Sequence, residues 1–335
     1  MKVFIFLLKV LLAVIVTPIH IFAPWYSPIL GALDVEIWKN WIVDELFKNN
    51  QFLNYARSAD EYVLQGKVVH IPQSGVASGV EENRSSLPAT VSDRSDTDIV
   101  YVLDEFTSNP RLIKDADKIL SYDKMSSCMG QDMNSLKQLV ADKMLYLWAK
   151  DATAGMITRT TGATGAEAHT EGATGLRKVI TTNDILKLAT MFDVKNIPDA
   201  DRYIMLDAIM YSQFVGQLSD VQYREFSRVL DVEKGIVGEM YGFQFLKRST
   251  VLTATNAAIP DVKNINATGA ATDNACAIAW HSFWVERAIG EVTIFESTNN
   301  PLYYGDIYSL LVRAGGRRLR ADNKGVALLI QQPHS

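Results

Sequence analysis

The sequence predicts an α+β fold, and three observations support that prediction. Residues 126–152 place apolar side chains at three- and four-residue steps, which is the period of a long amphipathic helix. Helical and strand-like segments then alternate between residues 182 and 249, as they do in mixed domains. The last third, residues 275–331, consists of short apolar segments separated by glycines, which indicates strands and tight turns.

The composition is that of an ordinary globular protein. Its 335 residues suffice for one large or two ordinary domains, with 48% hydrophobic and 21% charged residues. The formal net charge of −5 argues against a dedicated nucleic-acid binder, which would carry a basic face or tail. Cys128 and Cys276 lie far apart without metal-ligand spacing, so we expect two buried, reduced thiols.

The first 33 residues differ from the rest of the chain. Apolar runs follow Lys2 and Lys9, and prolines close the region. The longer run falls short of the ~20 residues that span a bilayer, and Ala23 before Pro24 makes a poor signal-peptide cleavage site. Three interpretations therefore stay open: a start codon placed too early, a leader or membrane anchor, and an ordered arm.

A helix is predicted after this region, and two strands follow it. Within residues 34–47, one face at helical spacing carries Val35, Trp38, Ile42 and Leu46. Strand patterns then occupy residues 66–72 and 97–106, on either side of a polar tract at 73–95. The tract holds few large apolar groups, so it cannot form a core of its own.

The clearest helix lies at residues 126–152. Its predicted buried stripe consists of Met133, Leu136, Val140, Met144 and Leu147. The charged side chains expected mostly away from that stripe are Lys137, Asp142, Lys143 and Lys150. A helix of this length must bury its apolar stripe against another layer of the protein.

The central region is predicted to begin with a Gly- and Thr-rich loop at residues 159–176. Thr182 is the expected N-cap of the helix that follows. Strands are predicted at residues 203–207 and 236–249. This alternation fits an α/β or α+β domain.

Signals of catalysis or metal binding are lacking in the sequence. The glycines from Gly172 to Gly175 are not followed by the Gly-Lys-Ser/Thr of a phosphate-binding loop. The five histidines are dispersed, and His281 lies among aromatic residues, where a packed core histidine is expected. Neighbouring acids such as Asp104 and Glu105 are expected on the solvated surface. We therefore expect no catalytic, cofactor-binding or metal-binding residues.

The chain is predicted to close with a strand, a turn and a hairpin. A small apolar segment begins the region at residues 275–289, and Tyr304-Gly-Asp-Ile-Tyr308 follows. Residues 308–320 and 321–331 are the expected arms of the closing hairpin. Ala-Gly-Gly at 314–316 and Asn-Lys-Gly at 323–325 have turn composition, because glycine reaches positive φ without steric cost.

The order of these elements resembles the major capsid proteins of tailed phages, of the Hong Kong 97 type. The resemblance covers about residues 34–332 and includes the closing Tyr-Gly-Asp and Gly-Val-Ala segments. It implies an N-terminal arm at 34–65, an extended hairpin loop at 66–105, a peripheral domain at 106–158 and 268–335 that includes the spine helix at 126–152, and an axial domain at 159–267 with the Gly-rich loop at 159–176, after a leader or misassigned start at 1–33.

The resemblance also implies a non-enzymatic protein whose function lies in its interfaces. We expect inter-subunit contacts from Trp38, Trp41, Glu81, Glu82, Arg84, Arg94 and Tyr304. The expected partners are further copies of the chain in pentamers and hexamers, a scaffold, a portal, and packaged double-stranded DNA bound without sequence specificity. Such a protein assembles in the host cytoplasm and resides in the virion.

Two other functions remain open at the level of sequence. A shell-forming nanocompartment protein of the encapsulin type would share the fold but enclose enzyme cargo. A leader-anchored or secreted binding protein would account for the apolar start, and membrane contact is considered for that leader alone.

Overall fold

The structure is a computed structural model, and it describes residues 50–64, 68–73, 82–83, 97–114, 124–163, 165–319 and 324–334. The leader at 1–33, the predicted helix at 34–47 and most of the polar tract at 73–95 lie outside the described residues.

The described residues contain four α-helices and seventeen strands. The α-helices are α1 Lys124–Ala149, α2 Thr182–Val194, α3 Ala208–Gln217 and α4 Asp220–Phe226. The strands are β1 Arg57–Ser58, β2 Val63–Leu64, β3 Val68–Gln73, β4 Thr97–Val102, β5 Asp104–Thr107, β6 Arg111–Lys114, β7 Ile157–Arg159, β8 Gly165–Glu167, β9 Leu176–Lys178, β10 Arg202–Asp207, β11 Ile236–Met240, β12 Phe243–Arg248, β13 Leu252–Ala254, β14 Asn274–His281, β15 Val285–Asn300, β16 Gly305–Arg318 and β17 Val326–Ile330.

A seven-stranded mixed sheet forms the centre of the molecule. Its order is β11-β12-β10-β14-β17-β7, with β13 paired to β14. Successive side chains of a strand point to opposite faces. Met205 and Ile278 pack in the cluster that includes α1, whereas Ile204 and Ala277 pack in the cluster that includes α2 and α3. Both faces are covered, so β10, β14 and β17 are buried along their whole length.

A second sheet of five strands contains a long antiparallel ribbon. Its order is β1-β15-β16-β5, and β6 also pairs with β16. Strands β15 and β16, of 16 and 14 residues, form the ribbon around the turn at 301–304. The predicted closing hairpin is therefore wrong: β17 pairs with β14 and β7 in the other sheet. Because β17 is apolar along its whole length, both of its faces must be covered. The centre of a sheet with two covered faces provides this, whereas a hairpin arm with one solvated face does not.

Glycines 315 and 316 lie inside β16, so the predicted Ala-Gly-Gly turn is also wrong. These glycines allow β16 to lie close to its neighbours, where a side chain would not fit. A Cβ at Gly316 would lie 2.7 Å from the Glu286 carbonyl oxygen and 3.0 Å from Trp148 Nε1. Gly325, by contrast, has φ +82° and belongs to a turn, as predicted.

Helix α1 confirms the predicted helix and most of its stripe. Met133, Leu136, Val140 and Met144 are buried. The stripe continues to Trp148, which is fully buried, rather than to the half-buried Leu147. Two turns of 3.6 residues after Val140 return the helix to the same face near residues 147 and 148. The sequence pattern alone therefore did not decide between Leu147 and Trp148.

Two details, one in α1 and one at the start of α2, were mispredicted. Lys137, expected mostly off the stripe, is 3% exposed, and its backbone carbonyl accepts a hydrogen bond from Asn50 Nδ2 at 3.2 Å. The N-cap of α2 is Thr181 and not Thr182. The Asp184 carboxylate accepts from the Thr181 backbone N–H at 2.9 Å, which is the reciprocal bond of a capping box.

The Gly-rich segment at 159–176 is more regular than the predicted loop. It contains β8, which pairs with β9 in a two-stranded sheet. The buried Arg177 guanidinium donates to the carbonyl oxygens of Thr174 and Asp273 at 3.0 and 2.9 Å. These bonds fix the segment to the loop that precedes β14.

Candidate inter-subunit surfaces

The tip of the β15–β16 ribbon exposes three large apolar side chains. Leu302, Tyr303 and Tyr304 are 81%, 53% and 80% exposed. The backbone N–H groups of both tyrosines donate to the Asn300 carbonyl oxygen, at 3.2 and 2.9 Å. Contiguous exposed apolar groups on a turn held by its own hydrogen bonds are typical of a protein-binding surface. The sequence predicted a contact at Tyr304 and made no prediction for Leu302; both side chains are exposed.

A three-stranded sheet, β2-β3-β4, forms the base of the predicted extended hairpin. The two predicted strands pair antiparallel, with Ile71 opposite Ile99. Val69 is buried in a small cluster with Leu103, while Val100 and Val102 are 51% and 58% exposed. One face of this sheet therefore packs on the body and the other presents apolar side chains outward.

Of the other predicted contact residues, the structure describes only Glu82. It is exposed in a turn with Asn83, whose φ is +49°. Trp38, Trp41, Glu81, Arg84 and Arg94 lie outside the described residues.

A buried charge network joins the hairpin base to the ribbon. Glu286 is 0% exposed and accepts from Arg317 Nε at 3.0 Å, with Arg57 Nη1 at 3.8 Å. The Arg317 guanidinium lies 5.5 Å from the centre of the Tyr101 ring on β4. Burial, and then the charge of Glu286, raise the pKa of Tyr101. The sequence pattern gave no signal of this network, because its members come from four separate strands.

Two further ion pairs fix β5, the strand that continues from the hairpin. Lys143 Nζ on α1 lies 3.1 Å from Asp104, and Arg313 Nε on β16 lies 3.2 Å from Glu105. The two acids are half-exposed, as expected of surface groups, but they are also paired. The hairpin base is thereby tied to both the long helix and the ribbon.

The first described residues form a strap across the body. Leu53 is fully buried, and its carbonyl oxygen accepts from Arg287 Nε at 2.8 Å. Tyr55 stacks on Tyr203 at 4.3 Å, and its carbonyl oxygen accepts from Trp280 Nε1 at 3.0 Å. Part of the range expected as an arm, residues 50–62, thus packs on its own subunit.

Two histidines and a cysteine in the described part of the chain carry groups that could take part in chemistry. His281 is 5% exposed, and its Nδ1 accepts from the Phe283 backbone N–H at 3.1 Å, which confirms the predicted packed histidine. Burial chiefly lowers its pKa. His169 Nε2 lies 2.9 Å from Asp207 Oδ2 at the wall of a cavity of about 350 Å³. Cys276 is buried, as predicted, and burial raises the pKa of its thiol; the Cys128 side chain lies outside the description.

Within the described ranges, no group of three His, Cys, Asp or Glu side chains is placed to hold a metal ion. Nor does any helix in that part of the chain have the length and apolar character needed to cross a membrane.

No family model and no curated protein sequence matches this chain. Solved capsid structures do match. The capsid of cyanophage P-SCSP1u is 18% identical, with a TM-score of 0.55 over 82% of this chain and 86% of that chain. The capsid of Ralstonia phage GP4 is 12% identical, with a TM-score of 0.59 over 84% and 88%. The head of Helicobacter pylori bacteriophage KHP40 is 11% identical, with a TM-score of 0.55 over 82% and 89%.

The chain therefore has the fold of phage capsid proteins of the Hong Kong 97 type. This confirms the α+β fold and the resemblance stated from the sequence.

Proposed function

We propose that this chain is a major capsid subunit that assembles into an icosahedral head around double-stranded DNA. The observation that carries the proposal is the extent of the structural likeness. More than four fifths of this chain matches more than four fifths of each of three phage capsid chains. A likeness of this extent concerns the whole subunit rather than one shared motif.

The subunit would consist of a peripheral and an axial domain. We assign residues 106–158 and 268–335 to a peripheral domain and 159–267 to an axial domain. The seven-stranded sheet takes β7, β14 and β17 from the first and β10 to β13 from the second. The two proposed domains share one hydrogen-bonded sheet, so we treat them as a single folding unit.

Contacts between copies would use the surfaces that expose apolar groups on rigid supports. The ribbon tip with Leu302 and Tyr304 is one such surface, and the outer face of β4 with Val100 and Val102 is another. Aromatic anchors dominate the binding energy of many protein interfaces. Pentamers and hexamers of this chain, with a scaffold and a portal, are the expected assemblies.

The net charge and the structural likenesses both bear on the content of the shell. A net charge of −5 provides no strong attraction to phosphates, which is compatible with DNA that slides during packaging and is bound without sequence specificity. The structural likenesses come from phage capsids, so they favour a genome container over a cargo nanocompartment or a secreted binding protein. The virion is the expected location.

The ribbon tip offers a test of this function. The double variant Leu302→Ser with Tyr304→Asn removes exposed apolar area, and asparagine tolerates the positive φ of +50° at position 304. We expect a folded subunit by circular dichroism that no longer sediments as closed particles. Glu296→Gln, an exposed change in the same ribbon, is the matched control and should assemble normally. If both variants assemble as well as the unaltered chain, the ribbon tip is not part of the interface.

A further inference from the structure

We propose that two copies of this chain join through the outer edge of β15 at residues 292–297, called here the open edge. The open edge of one copy pairs antiparallel with the open edge of the other, about a two-fold axis centred on Ile294. The pairing rests on the proposed function only in that both require further copies of the chain.

The five-stranded sheet ends at β15 over most of the length of that strand. β1 pairs with β15 at Glu286 and Arg287, and the Ile289 backbone N–H donates to Asp60 Oδ1 at 2.7 Å. Beyond Ile289, no strand within the described ranges pairs with that side of β15. β16, by contrast, has strands on both sides, because β5 and β6 pair with its other edge. An edge of this kind is a template for a strand from another chain.

The hydrogen bonds of β16 show which backbone groups of β15 face the open edge. The Leu310 N–H donates to Ser108 Oγ at 2.8 Å, and the Leu310 carbonyl oxygen accepts from the Ser108 N–H at 2.9 Å. Leu310 thus directs its backbone groups away from β15, so it forms a non-hydrogen-bonded pair with Ile294 opposite it. The N–H and C=O groups of Ile294 therefore point to the open edge. Since the pattern repeats every second residue, those of Val292 and Glu296 do so as well.

The three outward-facing residues lie in a regular stretch of β15. The register between β15 and β16 shifts before Val292 and after Ser297, while residues 292–297 pair with 307–312 without interruption. Bulges are one device that protects an edge from pairing, and none interrupts this stretch. The Phe295 side chain is 53% exposed, and Glu296 and Ser297 are exposed too, so a further strand has access to the edge.

The open edge is complementary to itself in one register. With Ile294 of one copy opposite Ile294 of the other, Val292 lies opposite Glu296. All of these residues face outward, so each opposed pair exchanges two hydrogen bonds. Thr293 then lies opposite Phe295, a β-branched and aromatic pair of the kind that stabilises neighbouring strands.

Neighbouring registers fit less well. A centre at Thr293 or Phe295 puts one of the three outward-facing residues opposite irregular backbone beyond the register shifts. A centre between residues 293 and 294 puts Glu291 opposite Glu296, and like charges directly opposite each other destabilise a sheet. In the register centred on Ile294, the pairing uses only the backbone groups of Glu296. A strand of another protein would need no such symmetry, so the self-complementary register favours a second copy.

Disulfide trapping in the full-length chain tests the pairing. Thr293→Cys is combined with Phe295→Cys, because in this register each cysteine lies opposite the other one on the second copy. The Cα atoms of such a non-hydrogen-bonded pair lie about 4.5 Å apart, within the reach of a disulfide. After mild oxidation of the concentrated or assembled protein, we expect a dimer-mass band on a non-reducing denaturing gel. Mass spectrometry should identify the linked 293–295 peptide.

The matched control combines Phe295→Cys with Ser297→Cys, at the same spacing on the same exposed strand. These two positions do not lie opposite each other in the register centred on Ile294. We therefore expect several-fold less dimer from the control pair than from the first pair. The oxidised unaltered chain accounts for any bond made by Cys128 or Cys276.

Glu296→Pro provides a second test. The Glu296 N–H points away from β16, so proline removes a donor from the open edge without breaking the pairing within the ribbon. Added to the Thr293 and Phe295 cysteine variant, it should lower dimer formation to the level of the control pair. Circular dichroism should remain that of the folded protein.

Dimer formation no greater than that of the control pair, or undiminished by Glu296→Pro, would overturn the pairing. If closed icosahedral shells give that result, the capsid function stands and the pairing alone fails. Trapped dimers from a chain that builds no shells would support the pairing and count against the capsid function.

Discussion

Glu286 on β15 and Arg317 on β16 form an ion pair of 3.0 Å, with the carboxylate 0% exposed. The pair lies where the strap, the extended hairpin and the ribbon meet. Removing one partner of a buried pair leaves the other charge without compensation, which typically destabilises a protein by ~3–5 kcal/mol. Arg317 is 18% exposed, so water offsets part of that loss here.

Glu286→Leu is therefore expected to lower the free energy of unfolding by about 2–3 kcal/mol. Urea denaturation of the two proteins measures this difference. Glu296→Leu, an exposed change on the same strand, is the control and should cost about 0.5 kcal/mol or less. If the two variants lose the same stability, the buried pair does not hold the junction together.

Val140 is fully buried on α1, and Val140→Asp should prevent folding or assembly. A carboxylate without a partner at such a position costs several kcal/mol even after its pKa rises, a large part of the ~5–15 kcal/mol that stabilises a domain. Soluble yield and circular dichroism are the measurements.

The control for that variant is Ser135→Asp, at an exposed position of the same helix. It should fold almost normally. Lys143, expected off the buried stripe, is not a suitable control because it pairs with Asp104 at 3.1 Å, and an aspartate there would face a like charge. Normal solubility of Val140→Asp would contradict the burial of α1.

Gly316 allows β16 to approach the backbone of β15, so Gly316→Ala should destabilise the protein. Its Cβ would lie 2.7 Å from the Glu286 carbonyl oxygen and 2.9 Å from Met144 Sδ. Overpacking of this kind costs ~1–3 kcal/mol. The control is Gly216→Ala in α3, where a Cβ would meet no atom within 4 Å beyond the helix's own nearby backbone, and alanine is the better helix former by ~0.5–1 kcal/mol.

Thermal denaturation should thus show opposite shifts for the two alanine variants. A stability gain from Gly316→Ala would show that the backbones can separate without loss, against the packing described here.

His281 should make stability depend on pH. Burial chiefly lowers its pKa, Arg202 acts in the same direction, and Asp201 opposes both. The unfolded state therefore takes up a proton near the ordinary pKa of about 6.5 while the folded state resists it. The stabilising effect of the neutral ring is present above that pH and is lost as the pH falls through the folded-state pKa.

His281→Asn tests this effect, because an asparagine oxygen can accept from the Phe283 N–H without titrating. The loss of unfolding free energy between pH 7.5 and 5.5 (about one unit on each side of the ordinary pKa) should be smaller in the variant than in the unaltered chain. Identical pH profiles would mean that the His281 proton does not couple to folding.

Local sequence patterns predicted the helices and strands better than they predicted which strands pair with each other. The period of α1 identified its buried stripe as far as Met144, because that signal is contained within one helix. The hairpin of residues 308–331 was mispredicted because glycine serves both turns and close backbone approach, and only the location of Glu286 and Trp148 distinguishes the two at Gly316.

The residues of the candidate surfaces also differ in whether the sequence could predict them. Tyr304 was predicted as a contact because aromatic side chains are favoured interface anchors, and the structure places it at 80% exposure. The network of Glu286, Arg317 and Arg57 was not predictable, because charged residues on separate strands carry no periodic signal before the sheets are paired.

Electron microscopy of the purified full-length chain, expressed alone and with its candidate scaffold, tests the capsid function most directly. The account predicts closed shells whose reconstruction has icosahedral symmetry, with this fold repeated in five- and six-fold capsomers and the 301–304 tip at a contact between copies. A chain that stays monomeric at high concentration under both conditions, or forms only open aggregates without symmetry, would contradict it.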